Sequence, residues 1–171
     1  MKNKTLVVID YQNDFVKGSL GSPAACAIMP NVKAKIEEAR KNGDHIIFTH
    51  DTHFDDYLST QEGRKLPVVH CIDGTPGWEI AYELDNFPHS IIRKTEFGSF
   101  GWIDMITKCE AIEIIGVVTD ICVVSNALIL RSLFPEIEIT VDASCCAGVT
   151  PESHRTALRA MKACQIRIEN E

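Results

Sequence analysis

Six short apolar segments, separated by longer stretches with helical spacing, constrain the fold of this chain more than any other feature. Each segment is too short for a helix and most are rich in β-branched residues, so each is predicted to form a β-strand. The segments are Thr5–Asp10, His45–His50, His89–Lys94, Ala111–Val118, Glu136–Ala143 and Gln165–Glu169. Because strands that alternate with helices are joined by right-handed crossovers, this pattern predicts an α/β fold. We expect three layers, α/β/α, around a doubly wound, six-stranded and mostly parallel sheet.

Helices are predicted where apolar residues recur every three or four positions. The stretch Asp120–Leu133 is apolar almost all round, so that helix is expected to be well buried. Thr150 is predicted to cap a further helix that opens at Pro151. The polar stretch Asp51–Pro76 is predicted to be a long loop, which in a compact domain usually has a function. Other helices are predicted at Val32–Ala39, Trp78–Leu84 and Trp102–Ile106.

Length and charge limit the classes of protein to consider. The 171 residues are expected to form a single domain, residues 1–171. A net charge of −7 repels phosphate backbones and anionic lipids, so we expect neither a nucleic-acid nor a membrane partner. The amino-terminal apolar run stops at Asp10, too early for a signal peptide. The seven cysteines include no C-x-x-C pair, so we expect a cytoplasmic protein with reduced thiols.

Three reactive residues follow predicted strands at the end where ligands bind in parallel sheets. Asp10 ends the first strand, Lys94 ends the third, and Cys122 lies where the fourth strand turns into a helix. Free N–H groups at a helix start and a nearby ammonium both stabilise a thiolate, and a carboxylate can carry the proton. The three residues therefore predict a nucleophilic cysteine for acyl transfer. The alternative is a buried, inert Cys122 beside a structural Asp10–Lys94 ion pair.

Three sequence segments resemble those of one enzyme family. The segments are VVIDYQNDF, RKTEFGSF and GVVTDICV, in this order along the chain. They are similar to segments of the isochorismatase-like cysteine hydrolases, and among these of the nicotinamidases and nicotinamidase-related amidases. The resemblance covers nearly the whole chain and implies that Asp10, Lys94 and Cys122 are catalytic. It also implies a cis peptide bond between Val117 and Val118, and an oxyanion hole formed by the backbone N–H groups of Val118 and Cys122.

The same resemblance implies a metal site in the long polar loop. Nicotinamidases carry an Asp-x-His pair and a later His as ligands for a divalent metal, and here Asp51, His53 and His70 match them. Glu62 is a candidate fourth ligand. Two imidazoles and a carboxylate suit zinc first, with iron or manganese as alternatives. Without a metal, these histidines would simply cap turns of the loop.

The function expected from the resemblance is hydrolysis of a small carboxamide by a cysteine amidohydrolase, with nicotinamide as the best single candidate. The alternative substrates are ureido or carbamoyl compounds, or an isochorismate-type vinyl ether. An aspartyl phosphatase is disfavoured because Gln12 stands where it needs a second acid. Phe15 and Phe97 are predicted to wall the substrate pocket, whereas Trp78 is interpreted as a core residue.

Two further expectations concern assembly and the remaining cysteines. An apolar helix on a small chain predicts a homo-oligomer. The adjacent Cys145 and Cys146 are interpreted as two small residues in a tight turn after the fifth strand, with a redox-sensitive pair as the alternative.

Overall fold

A computed structural model describes residues 3–81, 84 and 89–171. Its centre is a six-stranded sheet in which every neighbouring pair of strands is parallel. The strands are β1 Lys4–Ile9, β2 His45–Asp51, β3 Ser90–Lys94, β4 Ala111–Val117, β5 Glu138–Ala147 and β6 Arg167–Glu169. Their order across the sheet is β3-β2-β1-β4-β5-β6. The predicted α/β fold with a six-stranded parallel sheet is confirmed.

Helices cover both faces of the sheet and complete the three layers. They are α1 Asn13–Val16, α2 Pro23–Ala27, α3 Met29–Asn42, α4 Gln61–Lys65, α5 Trp102–Met105, α6 Val124–Leu133 and α7 Pro151–Ala163. One apolar core lies between the sheet and α1–α3, and a second lies between the sheet and α5–α7. Both cores draw on β1, whose alternating side chains point to opposite faces and are fully buried from Leu6 to Ile9. Burial on both faces explains why the strand sequences are almost continuously apolar.

The fifth strand differs from its prediction. It continues to Ala147, four residues beyond the predicted end, and pairs Cys146 with Gly116 and Ala147 with Val117. The pairing register with β4 shifts between Ile114 and Gly116, because Ile114 pairs with Val141 whereas Gly116 pairs with Cys146. The extra residues therefore lie in β5, which resumes pairing after this irregularity. Cys145 and Cys146 therefore lie inside a buried strand, and their interpretation as a tight turn was wrong.

Three local predictions also change. The loop 51–76 contains a 3₁₀ turn, Tyr57–Ser59, and helix α4. The predicted helix Trp78–Leu84 does not form over its described part, because Ile80 makes an antiparallel bridge with Gln12; residues 82 and 83 lie outside the described ones. The helix predicted from Asp120 opens with a π turn, Thr119–Val123, before α6.

Among the described residues, no helix has both the length and the apolar character needed to cross a membrane.

Candidate active site

Asp10 sits directly after β1, in a backbone conformation with φ of 44° that non-glycine residues rarely adopt. Its backbone N–H donates a hydrogen bond to Thr49 Oγ1 at 2.9 Å, and the Thr49 hydroxyl donates in turn to Asp10 Oδ1. The residue is fully buried. The neighbouring strand β2 thus fixes both the backbone and the carboxylate of Asp10.

Lys94 connects three reactive groups at the carboxyl end of the sheet. Its Nζ lies 2.7 Å from Asp10 Oδ2, 3.0 Å from Asp51 Oδ1 and 3.7 Å from Cys122 Sγ. Strand β3 is separated from β1 by β2, so the long lysine side chain is what spans this gap. Burial alone would lower the pKa of Lys94, but Asp10, Cys122 and Asp51 raise it well above its usual value. The ammonium therefore stays charged.

Cys122 lies in the π turn between β4 and α6 and is buried. Burial raises the pKa of its thiol, the Asp10 carboxylate raises it further, and the Lys94 ammonium lowers it by less. Burial and the Asp10 carboxylate thus oppose the thiolate that the sequence predicts, and only the Lys94 ammonium favours it.

The pKa of Asp10 is raised above its ordinary value. Burial is the largest cause, Lys94 opposes it, and the charge of Asp51 adds to it. A carboxylate with a raised pKa is a better proton acceptor, which suits the exchange of a proton with the neighbouring thiol.

A second cluster lies next to Lys94. Asp51, His53 and His70 are all buried, and one ligand atom from each lies within 4.8 Å of the others. Asp51 Oδ2 is 3.1 Å from His53 Nε2 and 3.5 Å from His70 Nε2. Glu62 Oε1 adds a fourth donor, 3.7 Å from His53 Nε2 and 4.0 Å from His70 Nε2.

This donor set fits a divalent metal. Nδ1 of His70 lies 2.8 Å from the carbonyl oxygen of Val68, so a proton on Nδ1 leaves Nε2 free to act as a ligand. Burial alone would raise the pKa of Asp51, but contacts with His53, His70 and Lys94 hold it well below its usual range. Asp51 is therefore an ionised carboxylate facing two imidazoles, a combination that suits zinc, iron or manganese.

The residues predicted to wall a pocket have different surroundings. Phe15 is buried, with its ring centre 5.5 Å from that of His70, so it borders the cluster of Asp51, His53 and His70. Phe97 is 48% exposed on the segment after Lys94. Trp78 is only partly buried and donates its Nε1–H to Thr52 Oγ1 at 2.9 Å, so it has a polar contact as well as the expected core packing. The Val117–Val118 peptide bond is cis.

Three buried polar residues around this site were not identified from the sequence. Thr49 holds Asp10, as described above. Gln12 donates to the carbonyl oxygen of Asp51 at 2.9 Å and accepts from its N–H at 2.8 Å. Asn126 donates to the carbonyl oxygen of Cys122 at 2.8 Å. In the sequence, the signal that could have identified them is a polar residue within an apolar stretch. This signal is clearest for Asn126 in the apolar helix α6.

Comparison with known proteins agrees with this fold. The isochorismatase domain model matches residues 4–169. The chain is an α/β protein with a buried cysteine at the carboxyl end of its sheet. It belongs to the isochorismatase family.

Individual relatives cover nearly the whole chain. It is 25% identical to the nicotinamidase/pyrazinamidase of Mycobacterium tuberculosis over 96% of this chain and 97% of that protein. It is 29% identical to a probable inactive nicotinamidase of Arabidopsis thaliana over 94% of this chain and 89% of that protein. The solved pyrazinamidase of Pyrococcus horikoshii in complex with zinc superposes with a TM-score of 0.85 at 28% identity, covering 99% of each chain.

Proposed function

We propose that this chain hydrolyses a small carboxamide, with nicotinamide as the best single candidate, through a thioester on Cys122. As a member of the isochorismatase family with amidase relatives, the chain is a hydrolase that acts on amide C–N bonds. The observation that carries the proposal is the position of Lys94 Nζ, 2.7 Å from Asp10 Oδ2 and 3.7 Å from Cys122 Sγ.

The first half of the reaction forms the thioester. Asp10 accepts the thiol proton as Cys122 Sγ attacks the amide carbon, and the N–H groups of Val118 and Cys122 are proposed to bind the resulting oxyanion. Asp10 then returns the proton to the amide nitrogen, the C–N bond breaks, and ammonia leaves. Lys94 stays charged throughout and keeps the carboxylate and the sulfur oriented.

The second half consumes one water. Asp10 takes a proton from the water molecule while the water oxygen attacks the thioester carbon. The C–S bond then breaks, and the sulfur of Cys122 leaves as a thiolate that recovers the proton from Asp10. The sum is amide plus water giving carboxylic acid plus ammonia. One residue serves as base and then acid in each half, as its raised pKa allows.

Asp51, His53 and His70, with Glu62 as the fourth donor, are proposed to hold a divalent metal, with zinc as the first candidate. When bound, the metal would supply a Lewis-acidic site for a donor atom of the substrate. Phe15 borders this cluster and is proposed to stack on a flat substrate ring.

The test measures ammonia release from nicotinamide, pyrazinamide and an N-carbamoyl amino acid, together with the metal content of the purified protein. Cys122→Ala should abolish turnover, and the exposed Cys164→Ala should leave it unchanged. Turnover that survives in Cys122→Ala would refute the mechanism. Turnover of the ureido compound alone, in a protein without metal, would favour the alternative substrate class.

A further inference from the structure

Asn126 is the only polar residue among the buried positions of helix α6; the others are Ala127 and Leu130. Its side chain is 0% exposed. An apolar side chain of similar size would fill this position without the cost of burying an amide, so the asparagine needs an explanation.

The amide of Asn126 has four partners, all with ordinary hydrogen-bond lengths. Its Nδ2 donates to the carbonyl oxygen of Cys122 at 2.8 Å and to that of Phe97 at 3.0 Å. Its Oδ1 accepts from the backbone N–H of Ser99 and from Nε1–H of Trp102, each at 3.0 Å. Both hydrogens and both lone pairs of the amide are therefore used.

These partners belong to two segments that are distant in the chain. Cys122 is in the π turn, whereas Phe97, Ser99 and Trp102 belong to the segment that leaves β3 after Lys94. A single side chain thus joins the segment after the lysine to the turn that holds the sulfur. The Asn126 amide can form all four hydrogen bonds only when the two segments lie in one position relative to each other. It therefore specifies that position.

We propose that Asn126 is a positioning residue that fixes the turn of Cys122 relative to the segment following Lys94, and so sets the Lys94–Cys122 geometry used in catalysis. The proposal deepens the proposed function and its catalytic part rests on it. Small displacements of a nucleophile cost large factors in rate, so losing this link should lower kcat.

Hydrogen exchange and turnover test the proposal together. In Asn126→Leu, the peptides spanning residues 95–103 and 118–123 should both lose protection, and kcat should fall at least about tenfold. Leu130→Ala is the control, because Leu130 is buried on the same helix and its apolar side chain cannot form hydrogen bonds with either segment. With a comparable loss of Tm, it should keep kcat within about twofold and leave both peptides protected.

A second variant covers the case in which Asn126→Leu does not fold. Asn126→Asp has almost the same shape and keeps both acceptor contacts. An ionised carboxylate cannot donate to the carbonyl oxygens of Cys122 and Phe97, and a protonated one can donate to only one of them. It should also lower kcat and the protection of both peptides.

The outcomes separate the two proposals. Unchanged kcat in the Asn126 variants, protection lost in only one of the two peptides, or an equal loss of kcat in Leu130→Ala would overturn the positioning role. If the wild-type protein shows no Cys122-dependent turnover, the proposed function fails, and the exchange data alone decide whether Asn126 links the two segments.

Discussion

The carboxylate of Asp51 contacts both Lys94 and the two histidines of the neighbouring cluster. Its Oδ1 lies 3.0 Å from Lys94 Nζ, and its Oδ2 faces His53 and His70. The residue proposed to ligate a metal is therefore also a direct partner of the lysine beside the nucleophile. Substitutions of Asp51 and His70 should consequently have different effects on turnover.

Asp51→Asn should lower both the affinity for zinc and the rate of the metal-saturated enzyme, because it removes the negative charge that faces both the histidines and Lys94. His70→Asn should lower the affinity for zinc by at least about tenfold but recover most of its turnover when metal is in excess. Zinc titration and ammonia release at saturating metal measure both effects. Equal recovery of the two variants would show that the Asp51–Lys94 contact has no role in turnover.

The acid side of the pH profile should report Asp10. This carboxylate must be ionised to accept the thiol proton, and its pKa is raised above the ordinary 3.8, chiefly by burial. We therefore expect kcat/KM to fall with decreasing pH at a midpoint above 3.8.

Thr49→Val tests this assignment, because the Thr49 hydroxyl donates to Asp10 Oδ1 and lowers the pKa of Asp10. The acid midpoint of the variant should move to a higher pH. A midpoint that stays in place in Thr49→Val would assign the acid limb to another group.

A partly buried ion cluster on the α3 face should make stability depend on pH. Lys35 Nζ lies 2.9 Å from Asp142 Oδ2 and 2.9 Å from Glu113 Oε1. Burial raises the pKa of Asp142, but hydrogen bonds from Lys35 and Ser144 outweigh it, so the pKa is lowered on folding. A lowered pKa stabilises the folded state above the unfolded value of about 3.9, and this contribution is lost as the pH falls through the folded value.

Asp142→Asn should therefore be less stable than the wild type near pH 7, by about 1–3 kcal/mol. Its free energy of unfolding should also fall less steeply below about pH 4. Urea unfolding at a series of pH values measures both quantities. Glu138→Gln, at an exposed ion pair with Arg167, is the matched control and should change stability little. If the free energy of unfolding depended on pH in the same way in the wild type and in Asp142→Asn, the stabilising role of Asp142 would be contradicted.

Gly116 should tolerate no larger residue. It has φ of 120°, and a Cβ atom there would lie 2.2 Å from the carbonyl oxygen of Ile9, immediately before Asp10. Gly116→Ala should destabilise the protein by about 3 kcal/mol or more and disturb Asp10, because backbone has to move.

Gly43→Ala is the comparison, since Gly43 also has positive φ, 75°, but has open space around it. It should cost only about 1 kcal/mol. Both variants place a side chain at positive φ, but only Gly116→Ala brings a Cβ atom against the backbone of Ile9. Thermal unfolding measures the loss of Tm in each variant, and equal losses would argue against a steric clash with Ile9.

Much of the fold could be predicted because strand and helix periods are local properties of the sequence. All six predicted strands are present, and their alternation with helices along the chain predicted a parallel sheet. The errors lie where tertiary contacts override the local pattern. Strand β5 pairs again with β4 after a shift in register, and Ile80 pairs with Gln12 instead of forming a helix.

The candidate site divides in the same way. Positions after strand ends and the resemblance of three segments selected Asp10, Lys94 and Cys122, and the structure places them together; their catalytic roles stay predictions. The direction of the pKa shift of Cys122 could not be predicted, because it depends on burial and on how many carboxylates share one ammonium.

By itself, then, the sequence determined the α/β class, the places where strands end and the reactive side chains that follow them, because each depends on neighbours within a few residues. Only the tertiary structure decided that Asp51 serves both Lys94 and the histidines, and that Asn126 holds two distant segments. The physical reason is that hydrogen bonds and pKa shifts depend on distances of about 3 Å and on burial. Neither quantity exists until the strands have assembled into the sheet.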